Sequence, residues 1–138
     1  MSPRLVLIRH GETDANARQL YVGSTDPELN RRGVRQAAAL RRTMRRHKIH
    51  HVYASDRRRA LQSARLIFPE HTLAVRTALR EIHFGVIEGL SHRQCLVKHR
   101  RVYKEWLASS FRRPVPGGER MADFRKRVLR SLGRLLSL

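Results

Sequence analysis

Apolar residues along the chain alternate between short continuous runs and helical spacing. Residues 5–8 (Leu-Val-Leu-Ile) form a run typical of a strand that is buried on both faces. Val52–Ala54 and Leu73–Val75 are two further runs of strand type. Because a helical pattern follows each of the first two runs, the order β-α-β-α-β predicts an α/β fold with a largely parallel sheet.

Four stretches have the apolar spacing of amphipathic helices. Asn30 is the expected N-cap of the first, and the second stops before Pro69. A break rich in proline and glycine at residues 114–118 separates the third from the fourth. With no internal repeat or interdomain linker, residues 1–138 are predicted to form a single domain. The apolar faces comprise Val34, Ala37, Ala38 and Met44; Ala60, Leu61, Ala64, Ile67 and Phe68; Cys95, His99, Val102, Tyr103, Trp106 and Leu107; and Phe124, Val128, Leu132, Leu135 and Leu136.

The composition of the chain excludes several classes of protein. A chain of 138 residues that is 41% hydrophobic can bury a core without disulfides or structural metal. The single cysteine, Cys95, excludes an intrachain disulfide and a multi-cysteine zinc site. No apolar run approaches the roughly 20 residues that a membrane span needs. The apolar run at residues 5–8 is too short for a signal peptide. We therefore expect a cytoplasmic protein with no membrane partner.

The positive charge of the chain suggests a further class of partner, nucleic acid. The chain has 30 Lys and Arg residues against 11 Asp and Glu, a formal net charge of +19. Clustered cations bind nucleic acid by neutralising phosphates, so a nucleic-acid-binding protein is one interpretation. The cations are spread along the whole chain, however, and aromatic residues make up only 6%. Solvated arginines on helix faces are therefore the favoured interpretation.

The first candidate for chemistry lies directly after the first apolar run. In an open α/β sheet, ligands bind beyond the carboxyl ends of the strands, and Arg9 and His10 fall there. A histidine can act as a nucleophile, a general acid or base, or a ligand, and arginine offers a bidentate fork for phosphate. Taken alone, the Arg-His-Gly motif is a weak signal, and a structural histidine at a strand end is the favoured interpretation of His10.

Two later segments add charged groups. Residues 55–60 follow the second apolar run and open a helix, whose N-terminus attracts anions. Their three arginines are either anion ligands or a solvated first turn. Glu81 is the third candidate, since a carboxyl beside an anion has a raised pKa and can donate a proton to a leaving oxygen. A surface salt bridge is the alternative for Glu81.

Together these segments resemble the histidine phosphatase superfamily, which has the phosphoglycerate-mutase-like fold. Residues 9–13 match its Arg-His-Gly-Glu-Thr signature, and residues 55–60 resemble its second arginine motif, in which Arg59 precedes the alanine. Glu81 with the Phe-Gly and Glu-Gly pairs of residues 84–89 is similar to its acid segment, and residues 116–119 match its Pro-Gly-Gly-Glu turn. Among the branches, the pattern is most similar to α-ribazole-5′-phosphate phosphatases and small broad-specificity phosphatases.

The resemblance implies a three-layer α/β fold, with a mostly parallel sheet flanked by helices, and a phosphomonoesterase. His10 would carry the phosphoryl group, Arg9 and Arg59 would bind its oxygens, and Glu81 would act as general acid. Asn16 and Gly23 match positions that contact substrate in the family. No metal or cofactor is implied, and the partner is a small phosphorylated substrate.

The sequence departs from the family in one respect. Members carry a second pocket histidine in a late strand after the Pro-Gly-Gly-Glu turn, and no histidine follows Glu119 here. We therefore expect a domain truncated at its C-terminal end, lacking the late strand and helix, with weak turnover. A missing strand would leave a sheet edge through which copies could associate, with no oligomeric state specified. Alternatives are a catalytically silent phosphate-ester-binding protein and the nucleic-acid-binding protein.

Overall fold

The computed structural model describes residues 4–137. Its sheet consists of β1 (Val52–Ala54) and β2 (Leu73–Val75), which run parallel with Val52 opposite Leu73 and Ala54 opposite Val75. The helix α3 (Arg58–Ile67) connects the two strands. Parallel strands joined through a helix confirm the predicted α/β fold and both of the later strands.

The helix α2 (Arg31–Met44) packs against α3 and forms one apolar core. Ala37 and Met44 meet Ile67 there. The Asn30 side chain accepts a hydrogen bond from the backbone N–H of Gly33, so the predicted N-cap is confirmed. The predicted face of α3 is buried or partly buried. The predicted face of α2 is confirmed only in part, because Ala37 and Met44 are buried whereas Val34 and Ala38 are exposed.

Residues 4–137 contain four further helices, two of which contribute residues to a second core. They are α1 (Asp14–Ala17), α4 (His92–Lys98), α5 (Arg100–Ala108) and α6 (Met121–Leu136), with short 3-10 turns at Thr77–Leu79 and Gly85–Ile87. The apolar pattern from Cys95 onward divides into two helices, because the backbone of His99 is not helical (φ −135°, ψ 37°). The buried members of this core are Ile87, Cys95, Tyr103, Trp106 and Val115.

The prediction of a buried strand at residues 5–8 is wrong for this structure. Residues 5–8 belong to no strand, and the Leu7 side chain is 77% exposed. In the part of the chain that the structure describes, no hydrogen bond joins the backbone of residues 5–8 to another residue. An apolar run becomes a strand only when a neighbour supplies backbone partners, and that neighbour is not found between residues 4 and 137.

None of the helices among residues 4–137 is both long and apolar enough to cross a membrane. Over the same residues, no group of three His, Cys, Asp or Glu side chains could hold a metal ion.

Candidate active site

The side chain of His10 is fixed by its own segment. Its Nδ1 lies 2.7 Å from the carbonyl oxygen of Gly11. A carbonyl can only accept a hydrogen bond, so Nδ1 carries the proton and donates it. Nε2 then keeps its lone pair, which is the form of imidazole that can attack an electrophile.

The charges around His10 favour that neutral form. Burial lowers the pKa of His10 most strongly, and the positive charges of Arg59 and Arg9 lower the pKa further. The hydrogen bond to Gly11 and the negative charge of Glu81 act in the opposite direction without reversing the shift. Four predicted site residues thus share one electrostatic environment.

Backbone contacts tie the His10 segment to both neighbouring helices. The Gly11 N–H donates to the Ser63 hydroxyl at 3.0 Å, and that hydroxyl donates to the Arg59 carbonyl at 2.8 Å. On the other side, a Cβ at Gly11 would lie 2.5 Å from the carbonyl oxygen of Gly33 in α2. Only glycine allows this approach, so the nucleophile's segment is held between α2 and α3.

Arg59 lies in the first turn of α3 and is 3% exposed. One Nη1–H donates to the Thr25 carbonyl at 2.8 Å, and one Nη2–H donates to the Gly23 carbonyl at 3.2 Å. Burial lowers its pKa, but a guanidinium stays charged at every physiological pH. The Asp26 carboxylate accepts the Arg58 N–H at 2.7 Å and so caps the start of α3.

Glu88 binds the loop of residues 23–25, whose carbonyl groups at Gly23 and Thr25 accept hydrogen bonds from Arg59. Its carboxylate accepts hydrogen bonds from the N–H groups of Gly23, Ser24, Thr25 and Phe84 and from the Thr25 hydroxyl, at 2.8–3.4 Å. Burial alone would raise its pKa, but these bonds outweigh burial and the net effect lowers the pKa. In the sequence, Glu88 has no predicted role beyond its place in a motif.

Glu81 is exposed, and its Oε1 accepts the N–H of Ile82 at 2.8 Å. The side chain of Arg127, in α6, binds the backbone of the segment that carries Glu81. Arg127 donates to the carbonyls of Ala78, Arg80 and Glu81 at 2.8–3.2 Å and to both carboxylate oxygens of Glu119. These contacts use all of its guanidinium N–H groups. Sequence reasoning missed Arg127 because nothing in the helical pattern separates it from the other arginines of α6.

The two predicted substrate contacts, Asn16 and Gly23, differ in which of their hydrogen-bonding groups already have a partner. Asn16 Oδ1 accepts from the Thr13 N–H and hydroxyl, so it caps α1. Its amide nitrogen makes no hydrogen bond to any residue between 4 and 137. Gly23 is buried, and its N–H and carbonyl are engaged by Glu88 and Arg59.

A cavity of about 340 Å³ opens beside the nucleophile. Arg9, His10 and Asn16 form part of its polar wall, and Leu40 and Ile67 are part of its apolar wall. Arg59 and Glu81 are not among its lining residues. His10 and Arg9 therefore line this cavity, whereas the other two predicted catalytic residues do not.

Comparison with known proteins identifies the family of the chain. The family model described as "Histidine phosphatase superfamily (branch 1)" matches residues 5–138. The adenosylcobalamin/α-ribazole phosphatase of Salmonella typhimurium is 35% identical over 138 residues, which cover 96% of this chain and 66% of that protein. Phosphoglycerate mutase-like protein 4 of Arabidopsis thaliana is 36% identical over 123 residues, 86% of this chain and 54% of that protein.

A solved structure has the same fold. The crystal structure of the α-ribazole phosphatase from Shigella flexneri superposes with a TM-score of 0.85 at 32% identity. The match covers 93% of this chain and 64% of that one. The chain thus spans between about half and two thirds of the length of the relatives that it matches.

Proposed function

Because the chain belongs to the histidine phosphatase superfamily, we propose that it transfers a phosphoryl group from a small phosphomonoester to water through a phosphohistidine on His10. The observation that carries the proposal is the hydrogen bond from His10 Nδ1 to the Gly11 carbonyl at 2.7 Å. It leaves the lone pair on Nε2, beside two arginines that attract a phosphate.

The first step forms the Nε2–P bond and breaks the P–O bond of the ester. The electron pair of the broken bond goes to the leaving oxygen, which takes a proton from Glu81. Water then attacks the phosphohistidine, its proton goes to Glu81, and the Nε2–P electron pair returns to nitrogen. Arg9 and the free N–H groups of Arg59 bind the nonbridging oxygens, and their charge stabilises the transition state.

Asn16, through its amide nitrogen, and Gly23 are the proposed substrate contacts, on the basis of the family pattern. The Gly23 N–H already donates to Glu88, so Gly23 has no free N–H for the substrate. A small phosphomonoester is the proposed substrate class, supported by relatives that are named phosphatases and mutase-like proteins. Turnover by the 138-residue chain is proposed to be weak, since no histidine follows Glu119. Losing one preorganised donor from such a pocket costs about 10²–10³-fold in rate.

A catalytically silent phosphate-ester-binding protein is the second candidate. It is supported by the positive charges of Arg59 and Arg9 beside His10, which can hold a phosphate whether or not turnover follows. Binding of nucleic acid through the +19 charge stays a separate prediction. That prediction requires retention on DNA that falls steeply with salt concentration.

Hydrolysis of p-nitrophenyl phosphate by the wild-type chain and by His10→Ala tests the proposal. His50→Ala is the matched control, since His50 is exposed and lies outside the site. We expect slow turnover that His10→Ala abolishes and His50→Ala keeps. Turnover that survives His10→Ala would contradict the proposal. Saturable binding of phosphate without turnover would favour the silent protein.

A further inference from the structure

We propose that Glu88 is a positioning residue: through the loop of residues 23–25, it holds the guanidinium of Arg59 in place for the phosphoryl oxygens. The inference rests on the proposed function, because it takes Arg59 to be a phosphate ligand. Glu88 is given no contact with the substrate or the reacting atoms in this proposal.

The N–H groups of the loop all point to one carboxylate. Ser24 donates to Glu88 Oε1 at 2.8 Å, the Thr25 N–H and hydroxyl donate to Oε2 at 3.4 and 3.0 Å, and Gly23 donates to both oxygens at 3.1 and 3.2 Å. Three consecutive residues outside any helix or strand therefore take their backbone orientation from a single side chain.

The carbonyl groups of the loop point the other way, to Arg59. The carbonyls of Thr25 and Gly23 each accept one N–H, at 2.8 and 3.2 Å, from different nitrogens of the guanidinium. Two fixed acceptors define the plane of the guanidinium and leave its other N–H groups for an anion. The loop thus transmits the position of Glu88 to Arg59.

Charge alone would give Glu88 the opposite effect. A negative side chain near a phosphate site repels the anion, so neutralising it should tighten phosphate binding. If Glu88 instead orients the loop and Arg59, neutralising it weakens phosphate binding. The sign of the change therefore separates positioning from simple electrostatics.

The probe is inorganic phosphate, titrated into the chain and followed by NMR on the ring C–H of His10. The signal is assigned by its loss in His10→Ala, and salt of about 0.15 M screens distant surface arginines. Glu88→Gln keeps the size of the side chain but replaces one acceptor oxygen with a donor. We expect its phosphate affinity to fall about tenfold or more, the scale of a lost charge-assisted hydrogen bond.

Glu28→Gln is the matched control. Glu28 is an exposed carboxylate that pairs with Arg58 at the start of the same helix, and it has no hydrogen bond to residues 23–25. Its neutralisation should leave phosphate affinity unchanged or slightly higher. Thr25→Val covers the case in which Glu88→Gln does not fold, because it removes only the hydroxyl bond to Glu88. We expect about threefold weaker binding from that loss.

A second readout follows Arg59 directly. Its guanidinium N–H signals, assigned by their loss in Arg59→Lys, should be resolved in the wild-type chain, because two carbonyls hinder rotation. They should collapse in Glu88→Gln. Unchanged Arg59 signals, or phosphate binding as tight as in the wild type, would overturn the inference.

The outcomes separate this inference from the proposed function. If His10→Ala leaves turnover intact, yet Glu88→Gln weakens phosphate binding, the function proposal fails and the positioning role stands. If the His10 signal does not respond to phosphate in the wild-type chain, Arg59 holds no anion there and the positioning role is wrong. Turnover that depends on His10, with phosphate affinity unaffected by Glu88→Gln, leaves the function and overturns the inference.

Discussion

Gly11 and Ser63 are joined by a hydrogen bond of 3.0 Å that links the segment of His10 to the helix of Arg59. The residues are 52 positions apart in sequence. Since the Ser63 hydroxyl also donates to the Arg59 carbonyl, one buried side chain connects the proposed nucleophile to its proposed phosphate ligand. The site's geometry thus depends on a group that performs no chemistry.

Replacing Ser63 with alanine should therefore destabilise the fold and slow any turnover. The change leaves the buried Gly11 N–H without an acceptor, which costs about 1–3 kcal/mol. Unfolding in urea measures this loss. Ser137→Ala, at an exposed position, is the control and should change the free energy of unfolding little. Equal effects of the two changes would contradict the role given to Ser63.

The pKa of His10 should lie below its ordinary value of about 6.5. The ring then stays neutral as the pH falls through 6.5, so loss of the proposed activity on the acid side should begin below that pH. The unfolded chain binds the proton first, so the stability contributed by the neutral ring is lost as the pH falls below about 6.5.

NMR titration of the His10 ring C–H checks this prediction. Arg9→Gln should raise the pKa, because it removes one of the two positive charges that lower it. A His10 pKa above 6.5 in the wild-type chain, or one unaffected by Arg9→Gln, would show that the charges around the ring are assigned wrongly.

Gly23 and Gly133 offer a paired test of the loop. A Cβ at Gly23 would overlap the carbonyl oxygen of Ile82 and crowd Glu88 Oε1 at 2.7 Å, whereas a Cβ at Gly133 in α6 meets nothing within 4 Å. Gly23→Ala should cost about 1–3 kcal/mol in the free energy of unfolding. Gly133→Ala should add about 0.5–1 kcal/mol, since alanine favours a helix. Similar values for the two changes in thermal unfolding would be inconsistent with the packing at Gly23.

Arg127 is expected to act on the proposed acid rather than on phosphate binding, because it holds the backbone that carries Glu81. Arg127→Lys keeps the positive charge but removes the planar guanidinium that binds several acceptors at once. Turnover of an alkyl phosphomonoester should then fall more than that of p-nitrophenyl phosphate, whose leaving group needs no proton. Arg130→Lys, exposed on the same helix, is the control. Equal losses on both substrates would contradict this role.

Local patterns predicted the helices and strands whose partners lie close by. The N-cap at Asn30, the face of α3 and the strands β1 and β2 all follow from short-range spacing. The run at residues 5–8 failed because strand formation depends on a backbone partner, which no local pattern can supply. The apolar spacing likewise did not predict the break between α4 and α5, because that break lies in the non-helical backbone of His99.

The residues of the candidate site also fall into two groups, those predicted from sequence motifs and those recognised only from the structure. His10, Arg9, Arg59 and Glu81 were predicted because they stand in motifs. The lowered pKa of His10 comes first from its burial, to which Arg59 and Arg9 add and which Glu81 opposes. The supporting groups Glu88, Ser63 and Arg127 act through long-range hydrogen bonds to backbone atoms. A carboxylate that accepts loop N–H groups looks like any other glutamate in a sequence, so its partners become visible only in three dimensions.

The proposed phosphohistidine is the central claim, and trapping it is the most direct measurement. The chain is incubated with a ³²P-labelled phosphomonoester and quenched in alkali, and the labelled peptide is located by mass spectrometry. We expect alkali-stable, acid-labile label on His10, with none in His10→Ala and wild-type labelling in His50→Ala. Hydrolysis without label on His10, or label on another residue, would contradict the account.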